Sequence, residues 1–287
     1  MVKNRKKLVL VTGGAGFIGS HLCERLFRDG YSVVSLDDYS TGVEDNHIPG
    51  VEYRRGHTKD IAMLVSEVPD LVFHLGEYAR VEQSFGDIEK LLESNVVGSK
   101  EVFEFCRKRG VRIIYAGSST KYAHPGIGRE QSPYAWTKAM NTEWVYNYGE
   151  WFNLSYAITY FYNVYGPRER IDEQSGTVIG IFADKMRRNL PLPVRSPGTQ
   201  KRNFTHVYDI VEALVLIGEK GSGDGYGIGH PDAYSIIEVA EMFGGVIEKS
   251  PERSGNRESS NFDTRRTRLE LGWKPRYSLP DYINSVL

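Results

Sequence analysis

The segment LVLVTGGAGFIGSHLCERLFRDG, Leu8 to Gly30, constrains the fold most, because an apolar run, a glycine turn and an amphipathic helix follow one another directly. Leu8 to Val11 reads as a parallel strand covered on both faces. Gly13, Gly16 and Gly19 then recur at three-residue spacing before the helix pattern begins. Glycine at such positions permits a tight turn, lets backbone N–H groups approach phosphate oxygens, and seats helix close against strand, while the helix N-terminus adds positive potential. The unit therefore reads as a dinucleotide pyrophosphate site. A second strand, in YSVVSLDD, brings Asp37 to its end about 20 residues further on, where a carboxylate can accept hydrogen bonds from the adenosine ribose. That selects NAD over NADP as the expected cofactor.

A chain of 287 residues can bury one large core and an appended lobe. A formal net charge of −1 gives no reason to expect a nucleic-acid or membrane partner. The basic cluster from Lys3 to Lys7 is short, and the apolar run behind it is too brief and glycine-rich for a signal peptide or a membrane span. The expectation is a cytoplasmic protein. Cys23 and Cys106 fall on apolar helix patterns without CxxC spacing or a histidine cluster, so they read as small core residues, and neither a disulfide nor a metal is expected.

Further strand-like runs at Ser32 to Leu36, Val51 to Arg54, Asp70 to Leu75, Arg112 to Ala116 and Ser155 to Phe161 alternate with helix patterns at Ser20 to Asp29, Ile88 to Arg109 and Ser132 to Trp151. This alternation implies an α/β fold, a doubly wound (Rossmann) parallel sheet with ligands at the carboxyl ends of its strands. From about Gly166 the pattern changes to proline- and glycine-punctuated short elements, with a helix at Val178 to Asn189. Residues 1–166 are read as the NAD-binding domain, with returning segments from about 200–230. Residues 167–287 are read as a smaller, interleaved C-terminal substrate-binding lobe.

In SPYAWTK, Tyr134 and Lys138 stand four residues apart, so on a helix they share one face, a turn apart. A neighbouring ammonium and an oxidised nicotinamide both favour the phenolate form of a tyrosine, which suits Tyr134 to general-base work. Upstream, the strand in RIIYAGSST leads to Ser118 at the same carboxyl edge, placed to hydrogen-bond the hydroxyl that Tyr134 deprotonates.

With these residues in view, the chain resembles an extended short-chain dehydrogenase/reductase of the NAD-dependent nucleotide-sugar epimerase/dehydratase family over nearly its whole length. The matching stretches include VTGGAGFIGSH, LDDYSTG, DLVFHLG, SNVVGSKEVFE, SPYAWTK, YFYNVYGPR and GTQKRNFTHVYDIVEA. The resemblance implies catalytic roles for Ser118, Tyr134 and Lys138. It implies a cofactor site lined by Gly13, Gly16, Phe17, Ile18, Gly19, Asp37, Leu75, Gly76 and Asn95, with Tyr162 closing over the nicotinamide. For the nucleotide-diphosphate sugar it implies Asn163, Thr177 and Val178 near the diphosphate, Arg202 on a phosphate, and Arg253 with Asn256 at the nucleotide ribose. Arginine suits a phosphate because its planar fork binds two oxygens at once. His206 and Asp209 are expected to be internal hydrogen-bonding groups. A homodimer is implied through the helices Ile88 to Arg109 and Tyr134 to Trp151, whose apolar positions Phe103, Trp144, Val145 and Tyr148 extend beyond one face.

Four positions depart from the family pattern: His57, Glu77, Tyr160 and Lys121. Ser119 and Thr120 stand where sugar 4,6-dehydratases of this kind carry an acidic pair, and neither is a good proton donor or acceptor for dehydration. The motif therefore favours 4-epimerisation of a UDP-linked hexose through transient oxidation at carbon 4. The alternatives are a 4,6-dehydratase, in which Lys121 and Glu77 replace the missing acid and base, a dehydrogenase/reductase on the same ligands, and a non-catalytic NAD-sensing module.

Overall fold

The computed structural model describes residues 5–119, 129–172, 176–251 and 262–287. Its centre is a seven-stranded parallel sheet of β1 (Leu8–Thr12), β2 (Ser32–Asp37), β3 (Glu52–Arg55), β4 (Leu71–His74), β5 (Arg112–Ala116), β6 (Tyr156–Phe161) and β7 (Gly223–Ile228). The spatial order is β7-β6-β5-β4-β1-β2-β3, so the strand order reverses between β1 and β4. A reversal of that kind opens a crevice at the carboxyl ends of the two strands.

The central strands are apolar runs because both sheet faces are covered. On one face Val9, Val11, Phe73 and Ile114 pack with the helices Phe17–Arg28 and Val207–Lys220, through Leu22, Leu26, Ile210 and Leu214. On the other, Leu10, Val72, Ile113 and Tyr115 pack with the helices Ser99–Arg109 and Pro133–Phe152, through Val102, Cys106 and Val145. Cys23 and Cys106 are buried and lie in these two different cores.

Two expected elements differ in the structure. The helix pattern from Ile88 is interrupted by a π-helical turn, Leu92–Gly98, because Asn95 is drawn inward to bond with neighbouring segments. The expected outward stripe is also corrected: Phe103 and Val145 are fully buried, Tyr148 is 7% exposed, and Trp144 packs against the same core. These helices cover the sheet and each other at those positions. The apolar residues they leave exposed are others, among them Leu92, Val97, Trp136 and Trp151.

After β6 the chain builds a third core from Tyr165, Ile179, Phe182, Leu192, Val194, Phe243 and Ile283, held by the helices Val178–Arg187, Ile236–Phe243 and Leu279–Val286. Between these it returns to the large sheet through the helix Val207–Lys220 and β7. No helix among the described residues is long and apolar enough to cross a membrane.

Candidate active site

The glycine turn sits at the crevice. Gly13 has φ +75°, and a Cβ on it would lie 2.8 Å from Gly76 Cα, so the turn after β1 and the turn after β4 touch backbone to backbone. A Cβ on Gly19 would collide with the Gly13 carbonyl oxygen. Gly16 caps the helix Phe17–Arg28 with no side-chain hydrogen bond, and its first turn holds no acid. The N–H groups of Phe17 and Ile18 are thereby left without a capping side chain, an arrangement that suits an anion. At the end of β2, Asp37 is buried, its carboxylate accepting from Ala15 N at 2.9 Å and Tyr39 N at 2.8 Å. Burial pushes this carboxyl up from its ordinary range, with the two backbone donors opposing. The cradle, the open helix terminus and the oriented acid together fit a dinucleotide.

Tyr134 and Lys138 lie on the helix Pro133–Phe152, whose start is set by Ser132: its hydroxyl accepts from Ala135 N at 3.1 Å, and Pro133 occupies the first turn. Ser118 follows β5 and is half-buried. The Lys138 ammonium donates to the carbonyl of Ala116, the last residue of β5, at 2.5 Å, and forms an ion pair with Glu77. Its side chain and that of Glu77 are 6% and 2% exposed. Glu77 also accepts from Ser99 Oγ at 2.8 Å, Asn141 Nδ2 at 2.8 Å and the Tyr115 hydroxyl at 3.2 Å. Burial pushes the Glu77 carboxyl up, yet Lys138 and the donors around it hold it below the usual carboxylate range.

The network continues to the glycine turn. Ser99 gives its one proton to Glu77, so at 3.0 Å it accepts from His74 Nε2, and the Thr12 hydroxyl donates to His74 Nδ1 at 2.7 Å. Thr12 Oγ1 in turn accepts from the backbone N–H of Leu75 at 3.2 Å and of Gly76 at 3.0 Å. His74 is fully buried and neutral, and burial lowers its pKa to about 4. Two runs of hydrogen bonds that converge on Glu77 thereby connect Lys138 to the backbone at Leu75 and Gly76.

Asn95 is wholly buried, accepting from Tyr78 N at 2.7 Å and donating to Tyr78 O and Thr137 Oγ1, so both ends of its side chain hold protein groups. Tyr162 is also buried: its hydroxyl accepts from Asp263 N at 3.1 Å and its ring lies 5.0 Å from that of Phe262.

In the second lobe, Asn163 has φ +36° and donates to Asn203 O at 3.0 Å. Thr177 caps the helix Val178–Arg187, accepting from Gly180 N at 3.1 Å and donating to Glu169. Val178 opens that helix and packs on the third core. Arg202 lies on the strand Lys201–Asn203 and donates to Lys201 O. Arg253 and Asn256 fall outside the described residues, as do Thr120 and Lys121. His206 caps the helix Val207–Lys220 by accepting from Tyr208 N, and Asp209 accepts from Arg276 N and Tyr277 N, so both are internal hydrogen-bonding groups. No group of three or more His, Cys, Asp or Glu side chains among the described residues could hold a metal ion.

The family model described as the NAD dependent epimerase/dehydratase family matches residues 9–229. The chain belongs to this enzyme family. The UDP-glucose 4-epimerase of Mycolicibacterium smegmatis is 31% identical over 299 residues, covering 96% of this chain and 95% of the relative. UDP-glucuronic acid decarboxylase 1 of Xenopus tropicalis is 26% identical over 311 residues, covering 99% of this chain and 72% of the relative. The solved structure of the Thermus thermophilus UDP-glucose 4-epimerase in complex with NAD superposes with a TM-score of 0.86 at 30% identity, covering 96% of each chain.

For this NAD-dependent epimerase/dehydratase family member, sequence reasoning singled out Glu77 but assigned it no pairing with Lys138. One signal was available: Asn141, three residues after Lys138, shares its helix face and converges on the same carboxylate.

Proposed function

We propose that the protein is an NAD-dependent 4-epimerase of nucleotide-diphosphate hexoses, with UDP-hexose as the leading substrate. The observation that carries this reading is Lys138, fixed between the end of β5 and Glu77, one helical turn from Tyr134 and beside the strand that leads to Ser118. Gly13, Gly16, Phe17, Ile18 and Gly19 would hold the pyrophosphate, and Asp37 the adenosine ribose. Leu75, Gly76, Asn95 and Tyr162 would bound the rest of the cofactor. Bound NAD would supply a hydride acceptor for sugar carbon 4 and return the same hydride, leaving the cofactor unchanged over a cycle.

Tyr134 takes the proton from the 4-hydroxyl as carbon 4 is oxidised and gives it back after the hydride returns to the opposite face. Ser118 hydrogen-bonds the same oxygen in both states. Lys138 holds an ammonium one helical turn from Tyr134, where a phenolate must form, with Glu77 fixing its position and offsetting part of its charge. Inversion requires the sugar to swing while the nucleotide stays anchored, a role for Asn163, Thr177, Val178, Arg202, Arg253 and Asn256. Dehydration is less well supported, because Glu77, one half of the replacement acid–base pair, is closed in by Lys138, Ser99 and Asn141.

The test is product analysis by NMR and mass spectrometry after incubating the enzyme and NAD with UDP-, GDP- and dTDP-linked hexoses and hexuronic acids. An isomer inverted at carbon 4 with unchanged mass is expected. A product lighter by water or carbon dioxide would overturn the reading.

A homodimer through the helices Ser99–Arg109 and Pro133–Phe152 and the turn before the first belongs to the same proposal, supported by the exposed Leu92, Val97 and Trp136. Light scattering at micromolar concentration should give twice the chain mass of 32.5 kDa.

A further inference from the structure

The loop between β4 and the turn at Gln83–Phe85 is pinned to the helix Pro133–Phe152 at two points. Glu77 pairs with Lys138, and Ser84, itself fully buried, accepts from Tyr134 N through its hydroxyl oxygen at 3.3 Å. Arg80 stands between these two anchors. It is half-buried, its Nε is shut away from solvent without a hydrogen-bond partner, and among the described residues its guanidinium has no ion-pair partner. Several other arginines of the chain are ion-paired, for example Arg25 with Glu212, Arg54 with Glu67 and Arg168 with Glu24, and Arg112, whose Nε is likewise shut away, donates from Nη2 to the carbonyls of Ile217 and Gly221.

Among the described residues, Arg170 repels Arg80, Asp172 attracts it but is itself paired with Arg170 at 3.0 Å, and the Tyr134 and Tyr78 phenols lie near it. Glu82, two residues on, faces Arg195 at 3.7 Å. Burial and Arg170 both lower the Arg80 pKa, but arginine stays charged in proteins, so beside Tyr134 there is a cation that no ion pair among the described residues completes and that Asp172 offsets only in part. Such a cation is costly unless an anion completes it, and a planar guanidinium suits a carboxylate.

On the catalytic reading above, the 4-hydroxyl of the sugar meets Tyr134; the ring carbons on either side bear the 3-hydroxyl and the carbon-5 substituent, and of these only the carbon-5 substituent can be a carboxylate. We propose that Arg80 recognises a carboxylate there, so that the preferred substrate is a nucleotide-linked hexuronic acid. This deepens the proposed function and rests on Tyr134 as the group that meets the sugar.

Calorimetric titration of the NAD-loaded protein with UDP-glucuronic acid, UDP-glucose and UDP tests the assignment without requiring turnover. UDP-glucuronic acid should bind about 30-fold more tightly than UDP-glucose, the range of a hydrogen bond between charged groups. Arg80→Met should erase that preference while leaving UDP-glucose and UDP within about 3-fold, and Arg80→Lys should fall between, as a point charge without the fork. Equal wild-type affinities for the two sugars would overturn the proposal. So would Arg80→Met weakening UDP itself, which would make Arg80 a diphosphate contact. Selective binding of the uronate without any turnover would instead count against the epimerase reading and leave this one standing.

Discussion

The Lys138 ammonium and the Glu77 carboxylate form an ion pair buried under the site, 61 residues apart in sequence and closed on every side by hydrogen-bonding groups. Removing one partner of such a pair leaves a charge in a medium that solvates it poorly. Glu77→Ala should therefore lower the unfolding free energy by about 3 kcal/mol, and Glu77→Gln, which keeps acceptor geometry but not charge, by less. Urea denaturation of the two variants checks this. An unchanged midpoint for Glu77→Ala would mean that the pair does not support the fold.

Tyr134→Phe removes only the hydroxyl from a half-buried side chain. Turnover should drop by about 10²- to 10⁴-fold, the usual contribution of a positioned acid–base group. Affinity for NAD, measured by calorimetry, should stay within a few-fold, because the glycine cradle and Asp37 are untouched. Retained turnover would remove Tyr134 from its proposed role.

A methyl group at residue 19 has no room, since it would strike the carbonyl of Gly13. Gly19→Ala should push helix and turn apart where phosphate would approach, and should weaken NAD binding more than 10-fold by calorimetry. Gly244→Ala is the control for an unrelated position: nothing lies within 4 Å of its added carbon, so its cost is the left-handed backbone alone, with φ at +71°.

Two buried imidazoles make the fold acid-sensitive. Burial lowers His74 to about 4 and His206, with His21 adding to the effect, to about 4. Between pH 4 and 6.5 the unfolded chain therefore binds more protons than the folded one, and stability rises with pH across that window. Each contributes up to about 3 kcal/mol that is present above pH 6.5 and lost as pH falls toward 4. Glu169 runs the other way. Burial raises it to about 7, so its contribution fades as pH climbs through that value; the raised Asp37 and Asp209 act in the same sense, whereas the lowered His21 adds to His74 and His206. Urea unfolding at pH 4.5, 5.5 and 6.5 should show a net rise, and His206→Asn, which keeps a capping oxygen for Tyr208 N, should make the rise shallower.

Where a segment's structure follows from its own residues, the sequence was enough to read it. The runs at Leu8, Ser32 and Arg112 are apolar because both sheet faces are covered, and Ser132 with Pro133 marks a helix start. β7 was legible only as a returning segment, since GDGYGI carries three glycines and packs under Asp263 and the helix Arg265–Leu271. The π-helical turn at Leu92–Gly98 depends on Asn95 meeting Tyr78 and Thr137, which no local pattern displays. Phe103, Val145 and Tyr148 looked like an outward stripe because periodicity cannot say that a second helix covers the far side. The candidate catalytic residues were visible as a motif, whereas the buried network of Lys138, Glu77, Ser99, His74 and Thr12 joins four segments that only the fold brings together.

The most direct test of the account follows the hydride. Turnover of a UDP-hexose, neutral or uronic, deuterated at carbon 4 should yield the 4-epimer with its deuterium still on carbon 4 and no change in mass, because the same hydride leaves and returns. Loss of deuterium to solvent, or a product lighter by water or carbon dioxide, would contradict it.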